Sequence, residues 1–241
     1  MLVEDDWDGI ADWYTELVRG GSAMHRFSRD ILLNALSDNL SDIHVLDVGC
    51  GEGIVSRALA TAGARVLGVD PTRTLIAHAE AAERVHPAGV VYRVDDGTTL
   101  DTVSDESMDG VTAALSLNNI ADLDAAVGSV RRVLRPGGFL AFTVPHPCFD
   151  APATETISTP NGLRRVAGNY FAEGLWRSTN PHSVRRAGNY HRTMSTYLNT
   201  VLDHGFTLRS CAEPAPTDAV RAEVPHRLGL PPFLLVNAMA P

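Results

Sequence analysis

Three glycines at alternate positions, Gly49, Gly51 and Gly53, close a short apolar run (Val45, Leu46, Val48) and open a helical pattern of Ile54, Val55, Ala58, Leu59 and Ala62. A run apolar on both faces suits a parallel strand buried on both sides. A turn without side chains ahead of a helix N-terminus lets a ligand approach the backbone closely. About twenty residues further on, a second strand (65–69) ends in Asp70, where an α/β unit places its acceptor for ribose hydroxyls. The stretch 45–70 thus restricts the chain to α/β folds with a nucleoside-binding corner.

The rest of the chain follows that lead. Apolar periodicity predicts a helix over 73–86, with Pro71 at its opening, where proline is tolerated. Strands are expected at 90–94, 108–115 and 139–144, with a helix over 123–134 and a tight turn at Arg135-Pro136-Gly137-Gly138. Strands separated by helices make a doubly wound parallel sheet that binds ligands at the carboxyl ends of its strands. That edge would carry Gly49, Asp70, Asp96, residues 115–119 and His146.

Ahead of the sheet, residues 1–40 read as a helical cap of two amphipathic helices broken at Gly20-Gly21. Tyr14 falls on its cofactor side, and His25 reads as a surface residue. After the core (41–146), the alternation stops over 147–190. This stretch is too long for an ordinary connection and is rich in Pro, Ser, Thr, Asn and Arg. It contains a short echo, Arg164-Arg165-Val166-Ala167-Gly168-Asn169-Tyr170 against Arg185-Arg186-Ala187-Gly188-Asn189-Tyr190. Residues 191–241 supply a helix (193–204, stopped by Gly205) and two strands (206–212 and 233–238). The connection between those strands is proline-rich and shows no helical pattern, so the pair should be antiparallel.

Composition removes several chemistries. All 20 basic residues are arginine, and the chain has no lysine, which excludes Schiff-base and pyridoxal-phosphate enzymes and the phosphate-binding P-loop. A net charge of −9 argues against a nucleic-acid partner. The three dispersed cysteines give neither a disulfide framework nor a metal site. No apolar run approaches the ~20 residues of a membrane span, and the first residues are acidic where a signal peptide is basic, so a cytoplasmic protein is expected.

Residues 45–53 resemble the first motif of the class I S-adenosylmethionine-dependent methyltransferases. The resemblance extends to Gly68-Val69-Asp70, Asp95-Asp96, the turn at 134–138 and the closing antiparallel strands. It implies a Rossmann-like seven-stranded sheet whose last strand is antiparallel, with an insertion after the fifth. A dinucleotide fingerprint would need its third glycine where Ile54 stands, which counts against a nicotinamide-dependent reductase. The implied cofactor is S-adenosyl-L-methionine, which carries positive charge and no phosphate; an acidic neighbourhood of Asp47 and Glu52 suits it. By the resemblance, Gly49, Cys50 and Gly51 pass its methionine part, Asp47 helps hold the amino group, and Asp70 with Pro71 meets the ribose. Asp96, preferred to Asp95, lies with Gly97 by the adenine, and Leu115 lies near the methionine portion.

Methyl transfer needs acceptor, methyl and sulfur in line, and such positioning contributes ~7–11 kcal/mol. A base adds about 10²–10⁴-fold when the acceptor must lose a proton. His146 and His191 are the candidate bases, and they tilt the reading toward an O-acceptor over small-molecule N- or C-methylation. The acceptor is expected to be a small molecule held by the insertion through Phe149, Tyr170, Phe171 and Trp176; a homodimer is compatible with the composition. A non-catalytic S-adenosylmethionine-binding protein is the competing reading.

Overall fold

The computed structural model describes residues 6–36 and 39–241; the acidic start (1–5) and residues 37–38 of the expected second helix lie outside them. Two helices come first. In α1 (Trp7–Arg19) the Asp6 carboxylate accepts from the Gly9 N–H at 2.7 Å, and Ile10, Ala11 and Val18 form the buried stripe. Helix α2 (Ala23–Asn34) ends short of Leu40, the end expected from periodicity.

The core alternates as the pattern predicts: β1 (His44–Val48), α3 (Ile54–Thr61), β2 (Arg65–Asp70), α4 (Arg73–Val85), β3 (Val91–Val94), β4 (Met108–Ala114), α5 (Leu123–Val133) and β5 (Leu134–Pro145). Pro71 precedes the Thr72 cap of α4 and is not its first helical residue. After the insertion come α6 (Met194–Asp203), β10 (Thr207–Ala212), α7 (Asp218–Glu223) and β11 (Phe233–Met239). The main sheet has seven strands in the order β10-β11-β5-β4-β1-β2-β3, and β11 runs antiparallel to both neighbours. This is the Rossmann-like sheet implied by the sequence.

Side-chain direction in β1 shows why the sheet is doubly covered. Leu46 and Val48 join the cluster built with α5 and α6, including Val127, Val130, Tyr197 and Val201. Val45, on the opposite face, joins Leu32, Val55, Leu59 and Ile76 from α2, α3 and α4. A strand buried on both faces does not alternate apolar and polar residues, hence apolar Val45, Leu46 and Val48 on both of its faces.

Two departures from the sequence reading concern segments with few apolar anchors. The insertion, where no alternation was seen, holds two strand pairs: β6 (Glu155–Thr159) with β7 (Gly162–Val166), and β8 (Gly174–Trp176) with β9 (Asn189–His191). The proline-rich connection holds the short α7, whose Val220 is buried and whose Glu223 accepts from Ser22 Oγ at 3.0 Å and from the Ala23 N–H at the start of α2. Among the described residues no helix is long and apolar enough to cross a membrane.

Candidate cofactor and acceptor site

The turn after β1 is shaped by its glycines. Gly49 has φ +67°, and a Cβ there would collide with Ser116 Cβ. Gly51 has φ +57° and faces the Tyr14 ring, 3.5 Å from where a Cβ would stand. Both therefore favour glycine on backbone grounds, and Gly49 on steric grounds as well.

Asp70 fixes this turn to the next one. Its buried carboxylate accepts from the Gly51 N–H at 3.0 Å and the Thr72 N–H at 2.9 Å. Burial raises its pKa against those two hydrogen bonds. Each oxygen keeps a lone pair for a further donor. Asp47, 1% exposed, accepts from Ser56 Oγ at 2.6 Å and Thr112 Oγ1 at 2.9 Å; burial pushes its pKa up to about 6 despite both bonds. The acidic neighbourhood is weaker than the sequence implied, because Glu52 is neutralised. Its buried carboxylate meets Arg57 Nη2 at 3.0 and 2.9 Å and Arg19 Nε at 3.2 Å, which ties the end of α1 to the glycine turn.

A cavity of about 290 Å³ opens on this edge. Its walls include Trp7 and Tyr14 from α1, Gly49 and Gly51, Asp70, Pro71 and Leu75, Asp96 and Gly97, and residues 114–116 and 119–121. Asp95 is elsewhere: it is buried, accepting from Thr102 N–H and Oγ1 and from the Asp96 N–H. Leu115 sits at φ +56°, uncommon for a branched residue, and such strain costs of order 1–3 kcal/mol and clusters at sites. The Ser116 hydroxyl on the cavity wall is buried without a partner among the described residues. That orphan donor, the cradle open at Gly51 and the two carboxylates fit a polar nucleoside-bearing cofactor. Among small-molecule sites of ~300–1,000 Å³ this volume is at the low end, so the cofactor would fill it and an acceptor must enter from its open side.

A smaller hollow of about 20 Å³ continues beside the turn, lined by Tyr14, His25, Ser28, Asp47, Cys50 and Leu115 among others. His25 is thus not a surface residue. Its ring stands edge-on to Tyr14 at 5.3 Å, its Nδ1 meets Ser22 Oγ at 2.9 Å, and burial lowers its pKa to about 4. Burial raises the Tyr14 and Cys50 pKa values. Sequence reasoning placed Tyr14 and residues 115–119, Ser116 among them, on this edge but missed His25 and Trp7, which adopt their positions only once α1 and α2 pack over the sheet edge.

His146 and His191 do not reach either cavity. His146 is 1% exposed; its Nδ1 accepts from the Cys148 N–H at 3.2 Å, so Nε2 carries the proton toward Glu213 Oε1 at 2.6 Å. His191, also buried, gives Nε2–H to the Tyr170 carbonyl at 2.7 Å. In this arrangement both rings are engaged in hydrogen bonds within the protein. Phe149, Tyr170, Phe171 and Trp176 also lie off the cavity, and Phe171 is 87% exposed. The insertion meets elements next to the cavity: Asn189 accepts from Asn118 Nδ2 at 2.9 Å, and the Arg186 guanidinium lies 4.4 Å from the Trp13 ring of α1. No group of three His, Cys, Asp or Glu side chains among the described residues could hold a metal ion.

Residues 46–142 match the family model described as a methyltransferase domain. Over 105 residues the chain is 34% identical to the ubiquinone biosynthesis O-methyltransferase of Pseudomonas fluorescens, covering 44% of this chain and 45% of that protein. It is 29% identical to the N-demethylindolmycin N-methyltransferase of Streptomyces griseus over 227 residues, 85% of this chain and 83% of that protein. A crystal structure of an S-adenosylmethionine-dependent methyltransferase from Mesorhizobium loti superposes with a TM-score of 0.73 at 28% identity, over 91% of this chain and 99% of that one. The chain spans about half the length of the ubiquinone-biosynthesis relatives it matches. Residues 46–142 are thus similar to a methyltransferase domain, and the fold is that of the S-adenosylmethionine-dependent methyltransferase on which the chain superposes.

Proposed function

We propose that this chain holds S-adenosyl-L-methionine in the cavity under α1 and transfers its methyl group to a small-molecule acceptor. The observation that carries the reading is the convergence of Gly49, Gly51, Asp70, Asp96, Gly97 and Leu115 on one cavity. When bound, the cofactor supplies a methyl group already activated on a sulfonium. The chain's own residues hold and orient. Asp70, fixed by two backbone N–H groups, takes the ribose hydroxyls on its free lone pairs. Asp96 and Gly97 face the adenine, and Asp47 lies deeper, where a carboxylate favours an ammonium.

Positioning does most of the chemistry in this reading. The ring nitrogens of His146 that would serve a base are already engaged, and His191 lies off the cavity. His25 borders the site, but a histidine held near pKa 4 is a weak base at pH 7. An O-acceptor of low pKa, such as a phenol, meets that limit. An amine is the second reading: a neutral amine attacks through its lone pair, and a relative that matches over 85% of the chain is an N-methyltransferase. The net charge of −9 keeps a nucleic-acid acceptor out of the proposal.

The test is S-adenosylhomocysteine formation from S-adenosylmethionine across phenol and amine acceptors, alongside calorimetric cofactor binding. Turnover with a member of either class is expected; binding without turnover across both would favour a non-catalytic binding protein. Asp70→Asn should weaken the cofactor about 10–100-fold, the equivalent of ~1.5–3 kcal/mol for a charge-assisted hydrogen bond. Unchanged affinity would remove the ribose assignment.

A further inference from the structure

Away from the cofactor cavity, three guanidinium groups converge on one carboxylate. Asp150, 5% exposed at its side chain, is reached by Arg165 Nη2 at 3.7 Å, by Arg227 Nη2 at 2.9 Å and by Arg185. The three arginine side chains are only 10%, 14% and 17% exposed for Arg165, Arg227 and Arg185. Asp150 is their single ion-pair partner among the described residues, so three positive charges face one negative charge. Two are left without a counter-charge in a largely dry place, where uncompensated charge is costly.

The cluster has unused donors. Arg227 Nε is buried with no hydrogen-bond partner among the described residues, and so is Trp176 Nε1, whose ring lies 5.4 Å from the Arg185 guanidinium. The field of the excess charge is felt nearby: burial, then Arg227, Arg165 and Arg185, push the His226 pKa down. Burial likewise lowers Arg185 to about 9 and Arg227 to about 10. A hollow of about 10 Å³ beside Arg227, walled by Arg221, Gly229 and Pro232 among others, opens next to the cluster.

The sequence echo finds its place here. Arg165 and Arg185 each stand three residues ahead of a Gly-Asn-Tyr, at Gly168 and Gly188. The two copies deliver one arginine each to Asp150, from β7 and from the turn before β9. The third, Arg227, comes from the connection between α7 and β11. Three chain segments thus supply planar, multi-donor side chains, the geometry that binds carboxylate and phosphate oxygens.

We propose that Arg165, Arg185 and Arg227 form an oxyanion site, taking a phosphate or carboxylate group between the insertion and the α7–β11 connection. Asp150 holds the three guanidiniums in place, and the anion takes the two charges that it leaves over. The inference is independent of methyl transfer and does not require the acceptor to be known. The group could belong to a free anion or to a larger organic molecule.

The experiment uses the full chain and inorganic phosphate, titrated by calorimetry and thermal shift at constant ionic strength set with sodium chloride. Saturable phosphate binding with a raised melting temperature is expected, and Arg227→Met should weaken it at least tenfold. If the cluster were only an internal tie, Arg227→Met would lower the melting temperature and phosphate would act no differently from chloride; that pair of results overturns the proposal. For an anion site, losing one surplus charge leaves the phosphate-free melting temperature unchanged or higher. Arg165→Met, with its own loss of phosphate affinity, provides a second variant should Arg227→Met fail to fold. Phenyl phosphate distinguishes the source: tighter binding than phosphate marks a site for an organic anion, equal binding one for the free ion.

Discussion

His25 and Asp47 line the same small hollow and titrate in the same pH range with opposite consequences. Burial lowers His25 from 6.5 to about 4, so between those values the unfolded chain binds the extra proton, and stability is lost as pH falls from about 6.5 toward 4. Burial raises Asp47 from 3.8 to about 6, so there the folded chain holds the extra proton, and stability is lost as pH rises through that range. Each effect is at most about 3 kcal/mol, and in the intact protein the two largely cancel. Relative to wild type, His25→Gln should become less stable as pH rises from 4.5 to 6, and Asp47→Asn less stable as it falls, both read from urea midpoints. Parallel lines for all three proteins would show that neither group is perturbed. The carboxylates at strand ends were legible because strand and turn are local patterns: Asp70 and Asp96 stand on the cavity edge where their strands stop. The surroundings of His146 were hidden for the opposite reason. Its neighbours in sequence put it on the active edge, but Glu213, 67 residues on, engages its ring, and no local pattern carries that.

At the scale of elements, the buried Glu52 joins α1 to α3 and the glycine turn. Arg57 carries most of the pairing, whereas Arg19, at the end of α1, is 43% exposed. Arg57→Met should therefore cost about 3–5 kcal/mol by leaving a buried carboxylate poorly paired. Arg19→Met should cost about 1 kcal/mol or less, but it releases the helix that walls the cavity, so its effect should appear in cofactor affinity. Urea denaturation and cofactor titration of both variants separate the two roles; equal stability losses would show that Arg19 and Arg57 share the charge evenly. The elements that sequence reading missed have little apolar content to show. Helix α7 buries only Val220 and lies among prolines, and its Glu223 acts on α2, about 200 residues away in the chain. The hairpin β6–β7 is mostly exposed, so no alternation marks an inner face, and β8 and β9 are three residues each, too short to show one.

The whole molecule was the most legible scale. Apolar residues on both faces of β1, β4 and β5 require covering on both sides, the spacing between these strands leaves room for helices, and the absence of a long crossover helix forces β11 antiparallel. What remained hidden was how distant segments complete the cavity, whose walls run from Trp7 to Ala121. A ligand touching all of them binds only the folded chain. S-adenosylhomocysteine at 100 times its Kd should add about 2.7 kcal/mol and raise the melting temperature by roughly 5–10 °C, measured by calorimetry. A shift no larger than that of adenine alone would mean that the methionine end finds no purchase. The tryptophans add an optical consequence. The chain has three: Trp7 on the cavity wall, Trp13 under Arg186, and Trp176 beside Arg185. None belongs to the central sheet. The tryptophan emission of this protein therefore originates in α1 and the insertion, and its colour reports how those two segments sit while the sheet beneath them contributes none of it.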